Sequence, residues 1–240
     1  MKPHPWVTHS ESLRYNIPLV LFLYSLFFTP VRGQPPHSSL DEYKAVLHSR
    51  GLVNIHDIDS TIKVELKYAS ADNFTGSDLY GEFTDCYLQE KAARKLAQAN
   101  KFLKEIRPDL TLLVADGLRP RHVQQKMWDE VKNTPRQRYV ANPRSGSMHN
   151  YGCAVDVTIC DSTGTRLDMG TPIDHFGPLA QPRLEKKYLK SGKLTRKQVE
   201  NRKLLRKIML EAGFLPLSIE WWHFNAFEKS VIRKKFTIVE

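Results

Sequence analysis

Apolar residues recur at helical spacing from Gln89 to Ile106, at Ala92, Leu96, Ala99, Leu103 and Ile106, until Pro108 stops the run. The spacing predicts an amphipathic helix whose stripe faces a core. Val123, Met127 and Val131 mark a second helix in the same way. A third begins after Thr195, where Gln198 completes a capping box. Val199, Leu205, Ile208, Met209 and Ala212 give that helix its buried side as far as Gly213. A short helix is expected over Asp41–His48, capped by Ser38 or Ser39. Elsewhere the period drops to two. Ile62–Tyr68 alternates apolar and charged residues, as a half-buried strand does, and Leu110–Val114 is a strand ending at the turn Asp116-Gly117. Cys153–Ile159 reads as a further strand. Asp161–Gly164 then makes a hairpin turn returning through Arg166–Met169.

With 240 residues, 41% of them hydrophobic, the chain suffices for one ordinary domain with its own core. The first 33 residues stand apart from it. Lys2 and Arg14 precede an apolar run, Ile17–Phe28, too short to span a bilayer but suited to a signal-peptide core. Cleavage is expected before Gln34, with Val31 and Gly33 as the small-residue positions. An uncleaved anchor is the alternative, and the length of the run argues against it. The organisation is therefore a leader over 1–33, a lead-in with a short helix over 34–52, and one domain over 53–240, exported to a periplasmic or secreted location and without stable membrane insertion once the leader is removed.

Three cysteines are too few for a disulfide framework. Cys153 and Cys160 have opposite parity on their strand and point to opposite faces; Cys86 is free to pair with either or with neither. The formal charge of +10 is concentrated, for Arg183–Lys207 holds eleven Lys or Arg against Glu185 and Glu200. A nucleic-acid surface would interleave stacking aromatics, and this stretch has Tyr188 alone. The leader also sends the chain away from nucleic acid. A solvated helix face, or attraction to an anionic envelope, accounts for the charge better. Oligomeric state is left open.

The chemistry lies in two stretches. Asp156 sits in the middle of a Val, Ala and Ile strand, where an unpaired carboxylate is costly, so it needs a strong partner such as a metal. His149 precedes it in a polar loop bracketed by Gly146 and Gly152, which allow backbone angles other residues avoid. The bland alternative is a surface His beside a structurally paired Asp. Glu220-Trp221-Trp222-His223 supplies the rest of a hydrolytic zinc site: His223 as third ligand and Glu220 as a base beside the attacking water. Here the alternative is a core strand whose Glu pairs with an Arg.

Ser147-Met148-His149-Asn150-Tyr151-Gly152-Cys153-Ala154-Val155-Asp156 matches the pattern SxHxxGxAxD, and Glu220–His223 matches ExWH. Together they resemble the zinc D-Ala-D-Ala peptidases, and within these the dipeptidase branch, the VanX type. Asp116-Gly117-Leu118-Arg119-Pro120 resembles the branch's DGxRP element, and Lys67-Tyr68-Ala69 with Asp72–Gly76 its KYA…DNFxG element. The resemblance runs from about Asn54 to Phe224. It implies hydrolysis of D-Ala-D-Ala with one zinc ion per chain held by His149, Asp156 and His223, Glu220 as base and Arg119 as oxyanion donor. Taken alone, Arg119 is as well explained by a surface ion pair. By resemblance Ser147 contacts the substrate carboxylate, and Tyr68 and Tyr80 border the substrate. Asp174 in GTPIDHFG either receives the substrate ammonium or caps its loop. The fold expected is α+β, an antiparallel sheet bearing the zinc site with helices packed on the opposite face. Two rivals remain: a carboxypeptidase trimming D-Ala from wall peptides, and a non-catalytic zinc-stabilised envelope-binding module. A structural zinc is normally closed by four ligands, so Glu220 and Arg119 argue against the second.

Overall fold

The structure, a computed structural model, describes residues 39–240; the expected leader and residues 34–38 lie outside the described residues. Helix α1 (Leu40–Ser49) starts at Ser39, whose hydroxyl accepts from the Glu42 amide at 3.2 Å. Strands β1 (Leu52–Asn54) and β3 (Tyr87–Gln89) form a small antiparallel pair. The main sheet has the order β2-β4-β5-β7-β6, with β2 (Lys63–Val64), β4 (Leu110–Asp116), β5 (Ala154–Asp161), β6 (Leu215–Pro216) and β7 (His223–Asn225). Helix α2 (Glu90–Ile106) lies between β3 and β4, α3 (Arg121–Val131) follows β4, α4 (Glu185–Lys190) and α5 (Arg196–Glu211) precede β6, and α6 (Lys229–Lys235) follows β7.

The fold is α+β, as expected. Every pairing of the main sheet is antiparallel except β2 with β4. A parallel neighbour requires a crossover, and the chain between β2 and β4 supplies one through α2. The strand expected over Ile62–Tyr68 is shorter than its alternation implies. It pairs at Lys63 and Val64, and the Glu65 amide reaches the Val114 carbonyl at 2.9 Å. There β4 slips register, the ladder loses its partner, and the chain turns into a 3-10 segment, Lys67–Ala69, that directs Tyr68 inward. The hairpin after β5 forms, but its return contributes one bridge, Cys160 with Arg166, rather than a strand.

Val155, Val157 and Ile159 of β5 join the main core with Leu112 and Val114, against Leu96, Ala99 and Leu103 of α2 and Leu205, Ile208 and Met209 of α5. Alternation turns Asp156 and Thr158 to the other face of β5. Ile106, expected in the stripe, is exposed at the end of α2. Cys86, Cys153 and Cys160 are all buried and unpaired. Most of the basic stretch is solvated, with two exceptions. Arg202 is fully buried and donates to the carbonyls of Met169 (2.6 Å) and Leu179 (3.0 Å), and Arg206 pairs with Glu185 at 2.8 Å. Among the described residues no helix is long and apolar enough to cross a membrane.

Candidate metal centre and active site

The sheet register assembles the site. Asp156 pairs with His223 across β5 and β7, and with Asp116 across β4 and β5, so the three side chains stand in a row on neighbouring strands. His149 comes from a 3-10 turn, Met148–Tyr151, that leads into β5. Ser147 caps this turn and Gly152 ends it in the left-handed conformation, φ 63°. Gly146, on the other side, is also left-handed at φ 71°. The glycines thus perform the turning role their positions suggest.

His149 Nε2 lies 3.1 Å from His223 Nδ1 and 3.4 Å from Asp156 Oδ1, and His223 Nδ1 lies 3.0 Å from that oxygen. The remaining ring nitrogens have acceptors: His149 Nδ1 donates to the Gly117 carbonyl at 2.8 Å, and His223 Nε2 to Asn225 Oδ1 at 3.1 Å. These bonds leave one lone pair on each imidazole aimed at Asp156, the arrangement that second partners impose on metal-binding histidines. Four ligands around zinc at 2.0–2.1 Å stand about 3.3 Å apart, so the spacing of the three donors fits that ion. The electrostatics agree. Burial pushes the Asp156 carboxyl up, but His149 and His223 outweigh it and hold the group well below the usual range. Burial lowers His149, and the Asp156 charge more than reverses this.

The donors open onto a cavity of about 330 Å³, at the small end for ligand pockets. Glu220, Arg119, Ser147, Tyr68, Asp174 and Trp222 line it. Glu220 is half-buried and has no ion-pair partner among the described residues, unlike the Arg-paired alternative. Burial above all pushes its carboxyl up to about 7. Arg119 is buried, not a surface residue. Its Nε donates to Asp116 Oδ2 at 2.9 Å, Nη2 bonds the same oxygen, and Nη1 donates to Gln124 Oε1 at 2.9 Å. Arg119 lines the cavity, and each terminal nitrogen keeps one N–H beyond these bonds. Asp174 adopts φ 65°, an uncommon conformation for a residue with a side chain, and accepts from the Tyr68 hydroxyl at 2.8 Å. Burial first, and the Asp156 charge second, push the Asp174 carboxyl up to about 6.

Tyr80 stands elsewhere. It is buried behind Asp116, donates to that Oδ1 at 2.6 Å, and does not line the cavity, so the expected border with substrate is not formed by this residue. The loop carrying it packs inward, and its ring meets Tyr68 edge-on at 6.2 Å. Two residues to which sequence reasoning gave no role hold Arg119: Asp116, noted in a turn and in the DGxRP element, and Gln124, fully buried between Arg119 and the Ala141 carbonyl (2.8 Å). A polar Gln at the core-facing side of α3 was the available signal for the second.

Three metal-type donors with an open side, a nearby carboxylate and a buried guanidinium define a metallohydrolase site. Comparison with known proteins narrows this. The M15 peptidase family model, described as D-Ala-D-Ala dipeptidase, matches residues 48–239, and the chain belongs to that family of metallopeptidases. The D-alanyl-D-alanine dipeptidase of Escherichia coli (strain K12) is 34% identical over 174 residues, covering 72% of this chain and 83% of that protein. That of Synechocystis sp. is 31% identical over 180 residues, 62% of this chain and 72% of that protein. That of Enterococcus faecium is 27% identical over 191 residues, 72% and 90% respectively.

Proposed function

We propose that the chain hydrolyses free D-Ala-D-Ala to two molecules of D-alanine, using one zinc ion per chain bound by His149, Asp156 and His223. The observation that carries the reading is the three-donor cluster opening onto a small cavity that also holds Glu220 and Arg119. Its relatives are named D-alanyl-D-alanine dipeptidases, so the carboxypeptidase and binding-module readings are not favoured. When bound, the zinc ion supplies the Lewis acid that polarises a carbonyl and makes water acidic. Glu220, which lines the cavity beside the three donors, takes a proton from the attacking water and passes it to the leaving amine. Arg119 donates to the oxygen that gains charge, held in advance by Asp116 and Gln124. Ser147 takes the substrate carboxylate, and Asp174 with Tyr68 takes the ammonium. Trp222 walls off solvent.

The test is release of D-alanine from D-Ala-D-Ala by zinc-loaded protein against a metal-stripped control. No release above that control would overturn the reading. The apolar run Ile17–Phe28 supports export, with the mature chain beginning at Gln34. Sequencing the N-terminus of protein from its native host checks this, and an intact Met1 in the cytosolic fraction would end it.

A further inference from the structure

We propose that Asn150 is the positioning residue that sets Ser147, His149 and Arg119 relative to one another, with the main chain of Val239 holding Asn150 from behind. The motif SxHxxG leaves this position unspecified, yet Asn150 is fully buried and every polar group it carries is used. Its Oδ1 accepts from the Ser147 amide at 2.6 Å, and its Nδ2 donates to the Arg119 carbonyl at 2.7 Å. Its own amide donates to the Ser147 carbonyl at 3.0 Å, and its carbonyl accepts from the Val239 amide at 2.8 Å. Val239 returns the connection, since its carbonyl accepts from the Arg121 amide at 2.8 Å. The Arg119 amide donates to the His149 carbonyl at 3.1 Å, which closes the ring of bonds. One side chain thus ties the backbone that presents Ser147 and His149 to the backbone that presents Arg119. A strap near residue 239 keeps that side chain seated.

Loss of the amide leaves the part-buried Ser147 N–H and the buried Arg119 carbonyl without these partners, and the two backbones are free to shift. Displacement of about 1 Å in a catalytic group costs on the order of 10²-fold in rate. The inference rests on the dipeptidase reading for its kinetic arm, and a structural arm stands independently of it.

The experiment compares Asn150→Ala, Arg119→Ala and the double variant, all zinc-loaded, on D-Ala-D-Ala. N150A should lower kcat by about 10- to 100-fold through Arg119 and raise KM through Ser147. In the R119A background the kcat effect of N150A should shrink, because one of the groups it positions is gone; a general structural role would leave it unchanged. Ile232→Val, in the core beneath the same turn, should lower Tm without moving kcat or KM. If N150A does not fold, Asn150→Asp carries the test: it keeps the acceptor for Ser147 and loses the donor to Arg119, so kcat falls with KM near wild type. The crystal structure of the variant gives the arm that needs no substrate, with Arg119 displaced relative to His149. Should the wild type fail to turn over D-Ala-D-Ala, the substrate reading falls and this arm decides. Wild-type kinetics in the variant that folds, an equal kcat loss with and without Arg119, or an unmoved Arg119 would overturn the proposal.

Discussion

Asp116 and Asp156 are cross-strand partners because β4 slips register between Val114 and Asp116. Without that slip Ala115 would face Asp156, and Asp116 would be carried out of the row. Two buried carboxylates side by side need a cation, and Arg119 bonds Asp116 while its Nη2 lies 3.8 Å from Asp156 Oδ2. Asp116 therefore keeps the guanidinium from settling on Asp156. Asp116→Asn, which removes the charge but keeps the shape, should lower kcat by roughly 10²-fold and weaken zinc binding about tenfold. Steady-state kinetics and a zinc titration check both. Unchanged kcat would mean that Arg119 finds its place without Asp116.

Ligands and base separate in a metal assay. His149→Ala, Asp156→Ala and His223→Ala should each lose zinc. Glu220→Gln should retain it and lose about 10² to 10⁴-fold in turnover, as expected for a missing general base. Full zinc occupancy in all three ligand variants would remove the proposed centre, and wild-type turnover in the fourth would place the base elsewhere.

Much of this was legible in the sequence, and the limits have physical causes. Helices α2 and α5, with the capping box at Thr195, follow from apolar spacing and local hydrogen bonds, both written in consecutive residues. Donors His149, Asp156 and His223 were legible because a carboxylate in an apolar strand demands a partner. The β4 slip was not, since a bulge depends on what the partner strands bury and leaves no mark in alternation. The slip falls where β2 ends, opposite Val114, and it sets Asp116 across from Asp156. The role of Arg202 was hidden too. In a run of eleven Lys and Arg no local feature marks the side chain that will be buried beneath Met169.

Protonation of Glu220 gives a signed pH effect in the zinc-free protein. Burial raises its carboxyl from 4.5 to about 7, so the folded state binds more protons than the unfolded state between those values. Stability from this group is fully present below about 4.5 and is lost as pH rises through about 7. Denaturant unfolding at pH 5 and pH 8 should therefore show wild type losing stability relative to Glu220→Gln at the higher pH. Added zinc should shrink the difference, because a nearby cation favours the ionised carboxylate. A difference that does not vary with pH would show that the site solvates Glu220 fully.

Substrate length tests whether the cavity receives a ligand with both ends free. A dipeptidase recognises an ammonium and a carboxylate one peptide bond apart, so both ends of its site must be shut. Ser147 lies two residues before His149 and lines the cavity. Asp174, bonded to Tyr68 at 2.8 Å, lines it too, as do Phe74, Phe176 and Tyr139, whose ring centroids stand 5.0 and 5.5 Å apart. These rings come from three separate segments, and they leave a space of about 330 Å³ for the ligand. A free ammonium gives half-buried Asp174 its charge partner; an acylated nitrogen brings bulk and no charge, and the carboxylate stays unpaired. D-Ala-D-Ala should therefore be cleaved, while N-acetyl-D-Ala-D-Ala and a wall pentapeptide ending in D-Ala-D-Ala should not. Asp174→Asn should narrow that gap by weakening the free dipeptide, through KM first. The three substrates assayed side by side decide the matter: comparable rates on the pentapeptide would make the enzyme a carboxypeptidase and leave the metal-binding residues as they are.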